Sequence, residues 1–351
     1  MLKISVLHPY LEERINEIDK GLYPKHHLWG LHALTTIPGC QVELLRANSI
    51  KLPMFLEKII NRIFFKNSPG IKAELCALIA SRNSNLLYSI CGPLSLIPFF
   101  GKAKVISWVF RKPKLIENGF FSPYSPSKLN KHTAFLCLTP NAYKSFQVHA
   151  HSKFLPWCVD LEMFSFNLSN KKKNKPFFLA TGKTGRDYTT LINGAKNVDA
   201  ELRIIGPKYQ KPNQLPKNIK WIDTSDNPPD QAIDYPTLCK WYANCIAVCV
   251  PLSGDADDTC GYTNMLEAMA MAKPVLMTRS GCLHINPKIG KYGILTETNN
   301  SESWKNAMNF IINYPNEAMT MGENGRKMIE ENFTIKKFNK ELVKFIEDII
   351  K

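Results

Sequence analysis

Residues 259–278 read TCGYTNMLEAMAMAKPVLMT, and this stretch decides the fold. A loop of small residues runs into a helix that carries Glu267 in its first turns. The helix breaks at Lys273-Pro274, and an apolar strand follows. A helix start preceded by loop amides is a ready anion site, because its unsatisfied N–H groups and its dipole both favour negative charge. A carboxylate one turn further in can hold a pair of sugar hydroxyls. Together they point to a nucleoside diphosphate, with the phosphates on the amides and the ribose on Glu267.

The chain around this stretch has 351 residues and 44% hydrophobic content, enough for two domains with large cores. The opening MLKISVLHPY reads as a short strand rather than a signal peptide, and no run of 18 apolar residues predicts a membrane span. The ten cysteines follow no regular spacing and form no C-x-x-C pair, as expected of core residues in a reducing cytoplasm. The net charge is +15 and uneven: residues 1–165 hold 20 Lys and Arg against 10 Asp and Glu. Such a bias suits anionic partners.

Short apolar runs alternate with helical patterns on both sides of residue 170. Before it, Leu2–Leu7, Gln41–Leu45, Leu86–Cys91, Val105–Phe110 and Ala134–Leu138 read as strands, Leu28–Thr35 as a helix, and a further helix starts at Asn141. Pro156–Lys175, with Lys171-Lys172-Lys173, breaks the rhythm and reads as a linker. After it, Phe177–Thr181, Leu202–Ile205, Ile219–Ile222, Ile246–Pro251 and Pro274–Thr278 read as strands. Thr189–Ala195, Met265–Met271, Trp304–Ile312, Met319–Glu331 and Lys336–Ile350 read as helices. Buried strands alternating with helices predict parallel sheets covered on both faces, with ligands at the carboxyl ends of the strands.

At this point four segments resemble the GT-B glycosyltransferases of the large retaining family 4 type. Leu155–Asp160 (LPWCVD) with Phe164 is similar to that family's interdomain P-x-G-V-D-x-x-x-F segment. Ala180–Lys183 with Arg186-Asp187 is similar to its first C-terminal strand and basic loop. Leu202–Pro207 (LRIIGP) is similar to its L-x-I-x-G-x-G strand, and Leu266–Val275 (LEAMAMAKPV) closely resembles its LEAMACGKPV helix. Their order and spacing match over roughly residues 150–350. The resemblance implies an α/β GT-B architecture of two doubly wound Rossmann-like domains facing a central cleft. Residues 1–165 would form the acceptor domain and 166–335 the nucleotide-sugar domain, with a 336–351 helix crossing back to the first.

It also implies a hexosyltransferase that takes a nucleotide diphosphate sugar, most simply a UDP-sugar, and passes the sugar to a glycan or lipid-linked acceptor with retention. No metal is implied. Glu267 resembles the ribose-binding glutamate. The Gly261–Met265 backbone, through Tyr262, Thr263, Asn264 and Met265, would supply diphosphate contacts, with Gly182 on the same loop side. Lys183 and Arg186 resemble the basic pair that neutralises the leaving diphosphate, and fixed cations there stabilise the developing charge. The family's donor motif Glu-x7-Glu has its second glutamate at Glu267, but Thr259 stands in place of the first. Asp258 is the candidate substitute. The tripeptide Asp255-Ala256-Asp257 reads as loop rather than as a metal site.

Pro24–Gly30 (PKHHLWG) would face the diphosphate and the acceptor from the first domain, with His27 as a catalytic candidate and His26 and Trp29 on the acceptor side. Phe55–Lys66 (FLEKIINRIFFK) sets apolar residues against a Lys58–Arg62–Lys66 stripe. It suits either an anionic membrane surface, at the inner face of the plasma membrane, or an ordinary half-buried position. Three rival readings stay open: an inverting transferase or nucleotide-sugar epimerase, a non-catalytic partner subunit, and a nucleic-acid binder. No recognised nucleic-acid motif supports the last.

Overall fold

Strands of four to seven residues form two parallel sheets in the computed structural model. It describes residues 1–65, 67–112, 122–165, 175–224, 233–253, 259–278 and 284–351. By internal contacts the chain divides into two units. One takes Met1–Asn16, His26–Trp157 and Lys336–Lys351; the other takes Glu17–Lys25 and Cys158–Ile335.

The strands of the first unit are β1 (Leu2–Leu7), β2 (Cys40–Leu44), β3 (Leu86–Ser89), β4 (Lys104–Val109), β5 (Ala134–Cys137) and β6 (His151–Phe154). They form one sheet in the order β2-β1-β3-β4-β5-β6, parallel throughout. Strands β3 and β5 are buried along their whole length, as expected when helices cover both faces. The helices that follow in the chain are α1 (Leu11–Asp19), α2 (Leu31–Leu34), α3 (Met54–Ile63), α4 (Ile71–Ala80), α5 (Ile97–Phe100), α6 (Pro126–Leu129) and α7 (Pro140–Phe146).

The second unit carries β7 (Phe177–Thr181), β8 (Glu201–Pro207), β9 (Ile219–Thr224), β10 (Ala247–Val250), β11 (Val275–Thr278) and β12 (Gly293–Thr296). Its sheet runs β12-β11-β10-β7-β8-β9, again all parallel. The strand order reverses between β7 and β10, which creates a switch point at their carboxyl ends. The helices are α8 (Tyr188–Ala195), α9 (Tyr235–Asn244), α10 (Tyr262–Ala270), α11 (Ser301–Asn313) and α12 (Pro315–Asn332). Helices α8 and α9 start where Asp187 and Asp234 accept from the Thr190 and Thr237 amides, at 3.0 and 2.7 Å. The core of this sheet's α8–α11 face gathers Leu191, Leu202, Ile204, Trp304 and Met308.

The last helix, α13 (Ile335–Ile350), lays Phe338 parallel to Trp108 of β4 and Phe345 parallel to His151 of β6. Lys153 holds it further through Glu341 at 2.7 Å.

Two local departures from the sequence reading have clear causes. The expected helix over Leu28–Thr35 is broken. A 3-10 turn at Lys25–Leu28 ends at Trp29, whose φ of 48° stops it, and α2 starts only after Gly30. Helices α1, α4, α5, α6 and α9 and strands β6 and β12 are additional elements. Helix α4 is apolar on every side and so shows little helical periodicity. The linker residues 166–174, Lys66 and the Asp255–Asp258 run lie outside the described residues.

Candidate functional site

The carboxyl end of β7 delivers Thr181 and then Gly182, where the chain turns with φ 131°. The loop returns at Arg186, which forms an isolated antiparallel bridge with Leu252 just past β10. Two backbone bonds close this seam: Ser253 N to Gly185 O at 3.0 Å, and Asp187 N to Pro251 O at 3.0 Å. The loops of the two switch-point strands are thus joined, and the guanidinium of Arg186 is held over them.

Arg186 is buried, with 7% of its surface exposed. Its Nε donates to Thr181 O at 3.2 Å, Nη1 to Thr184 O at 2.9 Å and Nη2 to Asn264 Oδ1 at 2.6 Å. All three acceptors are neutral. Among the described residues no carboxylate lies within 4.0 Å of it. A buried cation satisfied only by neutral acceptors keeps its full charge available to an arriving anion.

Helix α10 starts beside it. Its N-cap is Gly261, with φ 83° and no side chain to cap the first turn. A Cβ at this position would fall 2.5 Å from Val250 Cγ1, so only glycine lets the helix start against β10. Two first-turn amides are already committed: Tyr262 N donates to Thr259 O at 3.2 Å and Met265 N to Gly261 O at 2.9 Å. Tyr262 and Met265 turn their side chains into the core. Thr263 and Asn264 are half-buried.

Glu267 lies one turn below, 2% exposed. Its Oε2 accepts from the Tyr242 hydroxyl at 2.9 Å. Tyr242 in turn lies 3.4 Å from Asn264 Nδ2, which also donates to Thr181 Oγ1 at 2.6 Å. Burial pushes the Glu267 carboxyl up to about 8, while the bonds from Tyr242 and Asn264 pull it down. Burial also drives the Tyr242 phenol well above its ordinary value, and the Glu267 charge adds to the rise. The structure therefore brings Thr181, Arg186, Asn264, Tyr242 and Glu267 into one hydrogen-bonded group, with Gly182 packed against Arg186 and the half-buried Lys183 in the same loop. The sequence reading missed Tyr242 and Thr181. Tyr242 comes from α9, 25 positions before Glu267, and no local pattern ties it to the site.

His26, His27 and Trp29 form a separate cluster in the first unit, and all three are buried. His27 Nδ1 is 2.6 Å from the Tyr10 hydroxyl, and His8 Nε2 donates to His27 O at 3.0 Å. Trp29 stacks on Trp157 at 4.7 Å, and its carbonyl accepts from Tyr88 at 2.9 Å. Burial lowers the His26 imidazole to about 3 and holds His27 well below its ordinary value. Both rings are neutral at pH 7. Among the described residues no three His, Cys, Asp or Glu side chains gather as metal ligands. Asp258, expected near the donor sugar, lies outside the described residues.

The family model for glycosyl transferases group 1 matches residues 186–313, the segment that contains Arg186, Tyr242, Asn264 and Glu267. Comparison by sequence with curated proteins finds no match. Solved structures share the whole fold. A glycosyltransferase from Rickettsia africae is 15% identical, with a TM-score of 0.65 over 100% of this chain and 99% of that one. Sucrose-phosphate synthase from Thermosynechococcus elongatus is 14% identical, with a TM-score of 0.67 over 99% of each chain. HepE from Anabaena, solved in complex with UDP and glucose, is 13% identical, with a TM-score of 0.65 over 99% of this chain and 100% of that one. Residues 186–313 thus match the glycosyl transferases group 1 model, and the chain has the two-sheet GT-B fold of these solved glycosyltransferases.

Proposed function

We propose that the second unit binds a nucleoside diphosphate sugar, with UDP as the nucleotide, and that the chain transfers its hexose to a glycan or lipid-linked acceptor. One observation carries this reading: among the described residues Arg186 is a buried guanidinium with only neutral partners, beside the uncapped start of α10 at the switch point of the sheet. A diphosphate supplies the missing counter-charge. The UDP in the HepE structure supports the choice of nucleotide. Glu267 takes the ribose hydroxyls. Arg186 and Lys183 neutralise the leaving diphosphate without a metal.

In this reading transfer retains the anomeric configuration. The bond from the sugar's anomeric carbon to the diphosphate breaks, the acceptor oxygen bonds to the same face, and the acceptor proton passes to the departing phosphate oxygen. His27, buried and bonded to Tyr10, shapes its loop rather than taking that proton. NMR of the product anomer tests retention.

The acceptor side is tied to a membrane by α3. Met54, Phe55, Ile59 and Ile63 are each at least half exposed, and no residue of this helix is buried. Lys58 and Arg62 are exposed on the same helix. An apolar face open to solvent and edged by cations fits an anionic bilayer. The protein would then work at the inner face of the plasma membrane. No helix among the described residues is long and apolar enough to cross one. A thermal-shift screen against UDP-, GDP- and ADP-sugars tests the donor: UDP compounds should stabilise the protein most, and no shift with any of them would overturn the assignment.

A further inference from the structure

Asn264 stands between the two groups on which the donor reading rests. Arg186 has donors only, so the amide oxygen of Asn264 must face it, which turns the amide nitrogen toward Thr181 and Tyr242. The Tyr242 hydroxyl, facing that nitrogen, gives its single proton to Glu267 at 2.9 Å. Every bond in the run from Arg186 through Asn264 and Tyr242 to Glu267 therefore points the same way. Each link places a donor toward the carboxylate, and bonds aligned in series reinforce one another.

We infer that Tyr242, oriented by Asn264, is a positioning residue of the donor site: it aims the Glu267 carboxylate for a ribose and couples that carboxylate to the phosphate-side Arg186. This rests on the donor reading above. The physical need is plain. A carboxyl as buried as Glu267 stays neutral unless donors favour its anion, and a neutral carboxyl offers a ribose one acceptor fewer. Tyr242 donates to Glu267 at 2.9 Å, and Asn264 bonds it as well. The other ionisable groups facing Glu267 do not replace it. Cys239 of α9 is a thiol pushed up to about 12 by burial. Arg326 of α12 gives its Nη1 proton to Ala270 O at 2.6 Å. Arg186 acts only through Asn264.

The test follows the Glu267 carboxyl directly, by carbon NMR of protein labelled at the glutamate side-chain carboxyl, with Glu267→Gln assigning the signal. Tyr242→Phe removes one oxygen. It should raise the midpoint of the Glu267 titration by about one pH unit or more, the worth of a bond to a charged group. Its UDP affinity should fall near pH 7.5 and recover toward that of the unaltered protein near pH 9.5. A Tyr242→Phe midpoint equal to that of the unaltered protein overturns the inference. A raised midpoint with UDP affinity lowered equally at both pH values overturns the link to ribose binding. If UDP leaves the Glu267 signal of the unaltered protein unmoved, the donor reading itself fails, and the positioning role with it.

Discussion

Gly182 lies directly against the Arg186 guanidinium: a Cβ at residue 182 would fall 2.5 Å from Nη2 and 2.7 Å from Cζ. At φ 131° the backbone there also disfavours any L side chain. Gly182→Ala should therefore lever the guanidinium off Thr181 O and Asn264 while leaving its charge in place. The expected outcome is UDP binding weaker by about tenfold or more, with about 1–3 kcal/mol of lost stability from overpacking and strain. Calorimetry and urea unfolding on the same sample read both quantities. Unchanged affinity would show that the position of the guanidinium does not matter to the nucleotide.

The buried Glu267 gives a pH signature in stability. Its carboxyl titrates at about 8 in the fold against an ordinary value of 4.5. Between those limits the folded state holds the proton more tightly than the unfolded chain. Stability is then fully present below about 4.5 and is lost as pH rises toward 8. Relative to Glu267→Gln, the unaltered protein should lose up to about 1.4 kcal/mol per pH unit across this window. Parallel stability curves for the two proteins from pH 5 to 8 would contradict the buried, raised carboxyl.

Much of this frame was legible in the sequence because it is written locally. The β7 and β8 runs, the Lys273-Pro274 break and the LEAMA helix each hold their signal within a few residues, so strands and the Glu267 turn could be placed. The resemblance then singled out Arg186. What stayed hidden is written across the fold. Tyr242 acquires a role only when α9 brings it to Glu267. His26 and His27 read as loop residues ready to touch a ligand, yet both are buried, against Trp157 and, for His27, Tyr10. Burial of a polar residue by distant rings leaves no periodic trace. The α3 helix showed the converse. Its amphipathic pattern was visible, but only the fold could tell that the apolar side faces outward.

The first unit carries an opposite pH dependence. His8 and His132 are held at about 4 and His26 at about 3, all chiefly by burial, against an ordinary 6.5. Their neutral forms stabilise the fold fully above about 6.5, and that stability is lost as pH falls toward 4. His132 shows why: its Nδ1 donates to Lys128 O at 3.0 Å while Nε2 accepts from Leu94 N at 3.1 Å, and a proton on Nε2 breaks the second bond. Urea midpoints should fall by the equivalent of about 2 kcal/mol for each of these histidines between pH 7 and 5. His132→Gln should show a smaller fall; an identical fall would contradict the assignment.

Helix α3 predicts a surface effect without a folding effect. Ile59→Asp with Ile63→Asp alters two exposed positions of a helix that buries nothing. Thermal stability should stay within about 0.5 kcal/mol. Co-sedimentation with vesicles rich in phosphatidylglycerol should drop severalfold, and binding of the unaltered protein should weaken as salt rises. Equal sedimentation of variant and unaltered protein would remove the bilayer as the partner of α3.

Among the described residues Arg186 is buried with neutral partners alone, and a diphosphate is its proposed counter-ion. Calorimetric titration of UDP into the unaltered protein and into Arg186→Ala, both with a chelator present, tests it most directly. One saturable site for UDP is expected in the unaltered protein. The variant, which loses a charge-assisted contact, should bind at least tenfold more weakly, a difference of about 1.4 kcal/mol. Absence of UDP binding, or equal binding by both proteins, would contradict it.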